Sequence, residues 1–330
     1  MAGSQVTRLR APYGEGYLLN GLQCARRDSG HCEEGVDHPC VPGAGHRDAR
    51  LLQPLGVSLP FVSQWITLRS NDQRRRQTPP PEAGITIGNL ATLYRQRGRF
   101  DEAEPLFRRS IDMLEQTARP DGVSLMTALN NAAELYRSQG KLSPAEQMAE
   151  RALNIAGRLS KDDVRRSHPL HTLACVYQSM GRAEEARRLF LEALDLRERS
   201  LGPEHPHLAS TLTNLASLYL AEGNLDAAGP LAERAVSILE KTLGPEHPNT
   251  AVALNNLAQY RRLRGLYAKA ERLYRRALSI WEHSGSTNTK EYAVALENLA
   301  NLFQDIGRKT EAARLRRTST QAARSFQEER

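Results

Sequence analysis

Cysteine, lysine and aromatic residues are scarce in this chain, and each scarcity narrows what it can be. Four cysteines among 330 residues do not make a disulfide framework, so a reducing compartment is expected. Only six of the 45 basic residues are lysine, which we attribute first to coding bias. Aromatic content is 5% against 40% hydrophobic, a balance that suits helix pairs built on leucine and alanine. No 18-residue apolar run occurs: the nearest stretch, Leu51 to Leu68, is broken by Pro54 and Pro60 and carries Gln53 and Gln64, which argues against a membrane span. The first residues lack the charged, apolar and small-residue order of a signal peptide. A soluble, cytoplasmic protein with no membrane partner is the expectation. The net charge of +7 is spread over interleaved acids and bases, so no nucleic-acid footprint is seen. Also missing are a phosphate-binding glycine loop, a nucleophile elbow and a paired-histidine metal helix. No catalytic residue, cofactor or metal is therefore expected.

What the chain does have is a ladder. Gly98, Gly140, Gly181, Gly223, Gly265 and Gly307 stand 42, 41, 42, 42 and 42 residues apart. Five residues after each glycine stands an alanine: Ala103, Ala145, Ala186, Ala228, Ala270 and Ala312. Seven before each stands another: Ala91, Ala133, Ala174, Ala216, Ala258 and Ala300. Four before are Tyr94, Tyr136, Tyr177, Tyr219, Arg261 and Phe303. A fixed period of this length is the mark of a stacked repeat architecture.

Within a unit the apolar residues keep helical spacing, as in Leu212, Leu215, Ala216 and Tyr219 before the glycine and Ala270, Leu273, Tyr274 and Leu278 after it. The glycine ends the first helix. Asp101, Ser143, Asp226 and Thr310, three residues on, are expected to cap the second. Each unit is thus an antiparallel helix pair that buries its stripe against its neighbours. Leu201-Gly202-Pro203-Glu204-His205-Pro206 and Leu243-Gly244-Pro245-Glu246-His247-Pro248 are one connector written twice. His205 and His247 are read there as turn formers rather than ligands or bases. Pro169 falls inside the expected first helix of the third unit, whose start is placed at Pro169. Arg261 replaces the packing tyrosine of the fifth unit, and Tyr260 beside it is expected to compensate by a small rotation.

These strings, with Asn-Leu-Ala-x-Leu-Tyr at 214–219 and Glu-Arg-Ala-Val at 233–236, resemble the tetratricopeptide repeat in its longer form of roughly 42 residues. That form is known from kinesin light chains and large bacterial and fungal signalling proteins. The heptads that precede the repeats in kinesin light chains are not seen here. The resemblance implies an all-α, right-handed superhelical α-solenoid of six helix pairs with a C-terminal capping helix. Residues 84–330 are assigned to it, as repeats 84–120, 121–161, 162–203, 204–245, 246–287 and 288–330. Arg316, Ser319 and Thr320 stand where other units have apolar or small residues, as suits a solvated end.

In such an array the first helices line the concave face, and ligands meet those of their residues that do not pack inward. Nine before the glycines stand Asn89, Asn131, Thr172, Asn214, Asn256 and Asn298, with Asn130 and Asn255 one residue earlier. Three before stand Arg95, Arg137, Gln178 and Arg262. An amide offers a donor and an acceptor to an extended peptide backbone, and arginine suits a carboxylate through a forked pair of bonds. The resemblance implies that this asparagine position holds a peptide's backbone or terminal carboxylate. The asparagines and arginines are candidate contacts for an extended, acidic peptide, in a non-catalytic scaffold or adaptor. Two further readings stay open: an assembly subunit docking through its outer surface and ends, and the regulatory repeat region of a larger signalling enzyme.

Residues 1–83 differ in composition, being rich in glycine, proline and arginine and free of lysine. They are expected to be an irregular or disordered leader and linker. Cys24, Cys32 and Cys40, with His31, His38 and His46 nearby, lack the close ligand pairs of a zinc site. Cys175, near His168 and His171, is read as small core filler.

Overall fold

The structure, a computed structural model, describes residues 81–116 and 122–328. All regular structure among the described residues is helical. Six pairs follow one another: α1 (Pro81–Gln96) with α2 (Phe100–Glu115), α3 (Val123–Ser138) with α4 (Leu142–Ala156), α5 (Ser167–Ser179) with α6 (Ala183–Leu201), α7 (Pro206–Ala221) with α8 (Leu225–Thr242), α9 (Pro248–Leu263) with α10 (Tyr267–His283), and α11 (Lys290–Asp305) with α12 (Lys309–Glu328). Each pair packs on the next in a right-handed superhelical solenoid, and α12 closes it as the last second helix.

The alanine rows explain how close the helices come. All twelve alanines of the two rows are wholly buried, and a methyl group at the contact lets backbones approach nearer than any larger side chain. Tyr94 and Tyr177 are buried, as is Phe303 at the same place in the sixth unit. A cation from the residue after the glycine lies on each ring: Arg99 4.4 Å from the Tyr94 centroid, Arg182 3.9 Å from Tyr177, and Arg308 3.9 Å from Phe303.

Every unit turns in the same way. The ladder glycines have φ between +74° and +80°, and the N–H one residue later bonds to the carbonyl five residues back, as Arg182 does to Tyr177 at 2.9 Å and Asn224 to Tyr219 at 2.9 Å. This is the Schellman arrangement. Nothing lies within 4 Å of where a Cβ would stand on these glycines. Glycine is thus required by its dihedral and not by lack of room, a difference of about 1–2 kcal/mol against an L-residue.

Two details differ from the sequence reading. The second helices start two residues after the glycine, with Arg99, Lys141, Arg182, Asn224 and Leu266 at the N-cap. Asp101, Ser143, Asp226 and Thr310 therefore lie in the first turn. The Schellman turn has already reversed the chain, so the helix needs no further cap residue. Among these five N-caps Asn224 alone uses its side chain, accepting from the Ala227 N–H at 3.2 Å. The third first helix begins at Ser167, not Pro169. A 3-10 turn, Val164–Arg166, leads into it from Asp163, whose carboxylate accepts from the Arg165 N–H at 2.9 Å, and Pro169 occupies the first helical turn, where its missing N–H is harmless. In the fifth unit Tyr260, beside Arg261, packs on the core. Its ring lies on the preceding pair at Gly229, where a Cβ would come within 2.5 Å of the ring, and Arg261 pairs with Glu233.

The connector histidines are turn formers, as expected. Nδ1 of His205 accepts from the His207 N–H at 3.2 Å, and Nδ1 of His247 from the Asn249 N–H at 3.1 Å. Each caps a first helix that opens with proline.

Candidate functional site

Each first helix touches the first helix of the next pair as well as its own partner, and the second helices make no comparable contact with one another. The first helices therefore form the tighter, inner wall, and the candidate residues all lie on it.

The asparagine row laces this wall from unit to unit. Asn131 Nδ2 donates to Thr92 Oγ1 at 3.2 Å. Asn214 Nδ2 reaches Cys175 Sγ at 3.3 Å and lies 3.5 Å from His171 Nε2. Asn256 donates to the Thr213 carbonyl at 3.0 Å, and Asn298 to Asn255 Oδ1 at 3.1 Å. Each bond crosses to the preceding unit. Asn89 has no earlier unit to reach and is exposed. In the third unit Thr172 replaces the asparagine, and the lace is broken there. The residue that would have received it, Asn130, is 7% exposed with no partner for Oδ1. A buried acceptor left in that state costs about 1–3 kcal/mol.

The three arginines stand in an equivalent row. Arg95 pairs with Glu134 at 3.0 Å and Arg262 with Asp305 at 2.6 Å, each carboxylate belonging to the next unit. The Nε atoms of Arg95, Arg137 and Arg262 are all buried without a hydrogen-bond partner. The wall thus carries cations that are partly neutralised along the array and retain donors to spare.

Spacing alone did not reveal the polar centre between the third and fourth units. Arg197 is 3% exposed. It donates through Nε to Ser167 Oγ at 3.1 Å, and through Nη1 to the His207 carbonyl at 2.8 Å and Thr211 Oγ1 at 2.6 Å. The Thr211 hydroxyl lies 3.2 Å from His171 Nδ1. The rings of His168 and His207 are 5.8 Å apart, and those of His205 and His207 stack at 5.0 Å. Burial, reinforced by the Arg197 charge, pushes His168 down to about 3 and holds His171, His205 and His207 below the usual imidazole range. The signal was present in one column: sixteen residues after the glycines stand Leu114, Ala156, Arg197, Leu239, Trp281 and Ala323, a single charge among apolar and small residues.

Cys175 Sγ lies 3.6 Å from His171 Nε2, a pairing that elsewhere activates a thiol. Here burial pushes the thiol up to about 11, so it stays protonated at neutral pH and is not an activated nucleophile. Among the described residues no three His, Cys, Asp or Glu side chains are grouped to hold a metal ion. The leader cysteines and histidines lie outside the described residues. Among the described residues no helix is long and apolar enough to cross a membrane.

A solenoid of antiparallel helix pairs with an alanine-lined core and a polar inner wall belongs to the class of helical-repeat scaffolds. The tetratricopeptide repeat model matches residues 82–158, 166–241, 208–283 and 255–325, and the chain belongs to that family. Its fold is typically a non-catalytic scaffold for protein interaction. Among solved structures, the chain is similar to a putative kinesin light chain from Podosopora anserina with nearly identical TPR-like repeats, at 26% identity and a TM-score of 0.52 over 64% of this chain and 100% of that one. It shares the fold of BtubC from P. vanneervenii, at 18% identity and a TM-score of 0.52 over 76% and 93% of the two chains. A Rap protein complexed with Competence and Sporulation Factor has the same fold, at 17% identity and a TM-score of 0.57 over 86% of each chain. No curated protein sequence matches the chain.

Proposed function

We propose that this chain is a non-catalytic cytoplasmic adaptor whose inner wall takes an extended peptide segment bearing carboxylates. The observation that carries this reading is the row of part-exposed guanidinium groups on one wall, Arg95 and Arg262 with 19% and 18% of their side chains exposed and Arg137 between them in the same column, beside the amides of Asn89 and Asn130. A bound peptide brings carboxylate oxygens to the guanidinium groups and backbone groups to the amides. Asn89 extends the same face. Asn131, Asn214, Asn256, Asn298 and Asn255 hold the wall in shape through bonds between units, so they position the face and touch a ligand with what capacity remains.

Arg137 and Asn130 give the cleanest test, because changing them removes unsatisfied groups rather than laces. Affinity capture with the full chain, wild type against Asn130→Ala with Arg137→Gln, should lose a defined set of partners by about tenfold or more in affinity, as expected for losing one charge-assisted contact. A double variant that folds and retains every partner at wild-type strength sinks the inner-wall reading and moves binding to the outer surface or the ends.

A further inference from the structure

The turn edge of the fifth unit is built differently from its counterparts. In the first, third and sixth units the residue after the ladder glycine is an arginine that lies on the unit's aromatic ring and pairs with a glutamate three residues on: Arg99 with Glu102, Arg182 with Glu185, Arg308 with Glu311. Each of these turns is self-neutralising. In the fifth unit those places hold Leu266 and Lys269. Arg261 stands where the tyrosine was, and the neighbouring Tyr260 ring is approached by Arg261 and Arg264, 5.3 and 5.9 Å from its centroid, and not by the residue after the glycine. The glutamate that reaches the next unit's cation elsewhere, Glu104 to Lys141 or Glu146 to Arg182, is Gly229 on the unit that precedes this turn.

The result is a surface that is apolar and basic together. Leu263, Leu266 and Tyr267 are 41%, 39% and 39% exposed within five residues of chain, and Ile306 on the adjoining turn is 36% exposed. The Arg262–Asp305 pair at 2.6 Å ties the two turns together. These are four of the seven large hydrophobic side chains exposed among the described residues. Lys269 and Arg272 are exposed beside them, with no ion-pair partner among the described residues. Asp305 and Asp226 on the same edge are each paired with an arginine, Arg262 and Arg264, so the unpaired charge of Lys269 and Arg272 leaves the rim basic. Scattered exposed leucines are ordinary, but an apolar cluster with a polar rim marks an interaction site.

We infer that this turn edge is a second docking surface, separate from the inner wall, for a protein segment that presents an apolar side chain flanked by carboxylates. Charge complementarity selects that occupant. The leucines and the tyrosine ring occupy a single turn and do not form the long apolar stripe of a helix that lies in a membrane surface.

The test uses residues that the array itself carries at equivalent places: Leu263→Ser as at Ser138, Leu266→Asn as at Asn224, and Lys269→Glu as at Glu102. Displayed random peptides of about 12 residues, the order of length that covers a turn edge of this size when extended, are selected on the wild-type full chain. The pool is then measured against the triple variant and against the Asn130→Ala, Arg137→Gln variant. The expected result is a peptide class combining Leu, Ile or Phe with two or more carboxylates, whose affinity falls about tenfold or more on the triple variant and is unchanged on the inner-wall variant. Leu266→Asn alone, which gains the cap seen at Asn224, repeats the measurement if the triple variant melts early. Peptides that bind both proteins equally, or that show no acidic preference, overturn the inference. So does a wild-type chain that the triple change stops from sedimenting with phosphatidylserine vesicles, or from dimerising.

Discussion

Leu201-Gly202-Pro203-Glu204-His205-Pro206 and Leu243-Gly244-Pro245-Glu246-His247-Pro248 turn the chain alike, yet the joint beneath the first is polar and the joint beneath the second is apolar. Above both, an arginine of the following unit crosses to a glutamate and to a connector carbonyl: Arg234 to Glu198 and the Pro203 carbonyl, Arg276 to Glu240 and the Pro245 carbonyl. Below, Arg197, Ser167 and Thr211 in the first joint correspond to Leu239, Ala209 and Ala253 in the second, all six buried. The guanidinium and its hydroxyl partners have been exchanged together for a leucine and two alanines. A repeat array can therefore keep its connector and outline while a whole buried set is swapped, provided that no polar member is left behind.

The largest expected effect comes from breaking that set. Arg197→Ala strands the Ser167 hydroxyl, takes a donor from the His207 carbonyl and leaves the Thr211 hydroxyl only His171, and should cost about 3 kcal/mol in urea unfolding. Arg197→Leu with Ser167→Ala and Thr211→Ala copies the second joint into the first, and should recover all but about 1 kcal/mol of it. If the triple variant is no more stable than Arg197→Ala, the two joints are not interchangeable sets.

Next in size is acid. His168, His171, His205 and His207 all have folded-state values below those of the unfolded chain, so between the two values the unfolded chain holds more protons. Stability is then full above the unfolded histidine value of about 6.5 and is lost as pH falls below it. With His168 at about 3 when folded, that residue alone removes about 2 kcal/mol by pH 5. The second joint holds one lowered histidine, His247. Hydrogen-exchange protection, with the intrinsic pH dependence of the amide rate divided out, should fall from pH 7.5 to 5 across residues 200–215 well before residues 243–257. An equal fall at both joints would remove the distinction.

The smallest effect should come from the shared caps. His247→Ala loses the Nδ1 acceptor for the Asn249 N–H and should lower stability by about 1 kcal/mol in thermal unfolding, whereas His247→Asn, with an acceptor of similar reach, should be nearly silent. If the two substitutions cost the same, the imidazole acts by bulk and not as a cap.

The periodic part of the fold was legible because the residues that set it are those with few substitutes. Only glycine takes the turn dihedral cheaply, and only alanine fits where two helices touch. The N-cap assignment missed because Asp101 and Ser143 look like caps to a local rule, while the Schellman bond that ends the preceding turn spans both helices. The asparagine row was visible as a column, but not its use: the bonds from Asn131, Asn214, Asn256 and Asn298 join residues 39 to 43 apart and depend on how units stack. Arg197 was hidden for a different reason. An exposed arginine is so ordinary that one at an apolar position is noticed only when six units are aligned.

The ladder glycines also have a meaning in terms of handedness. Their backbone is left-handed and the space around them is open, so each is a place where the chain wants the mirror image of an ordinary residue. D-alanine introduced there by ligation would hold the turn as glycine does and would also leave the unfolded chain fewer conformations to lose, while its L-enantiomer would be strained. The array thus carries a row of stereochemically marked positions, one per unit along its turn edge. A label mounted on a D-residue at Gly140 or Gly181 would touch neither the alanine core nor the inner wall.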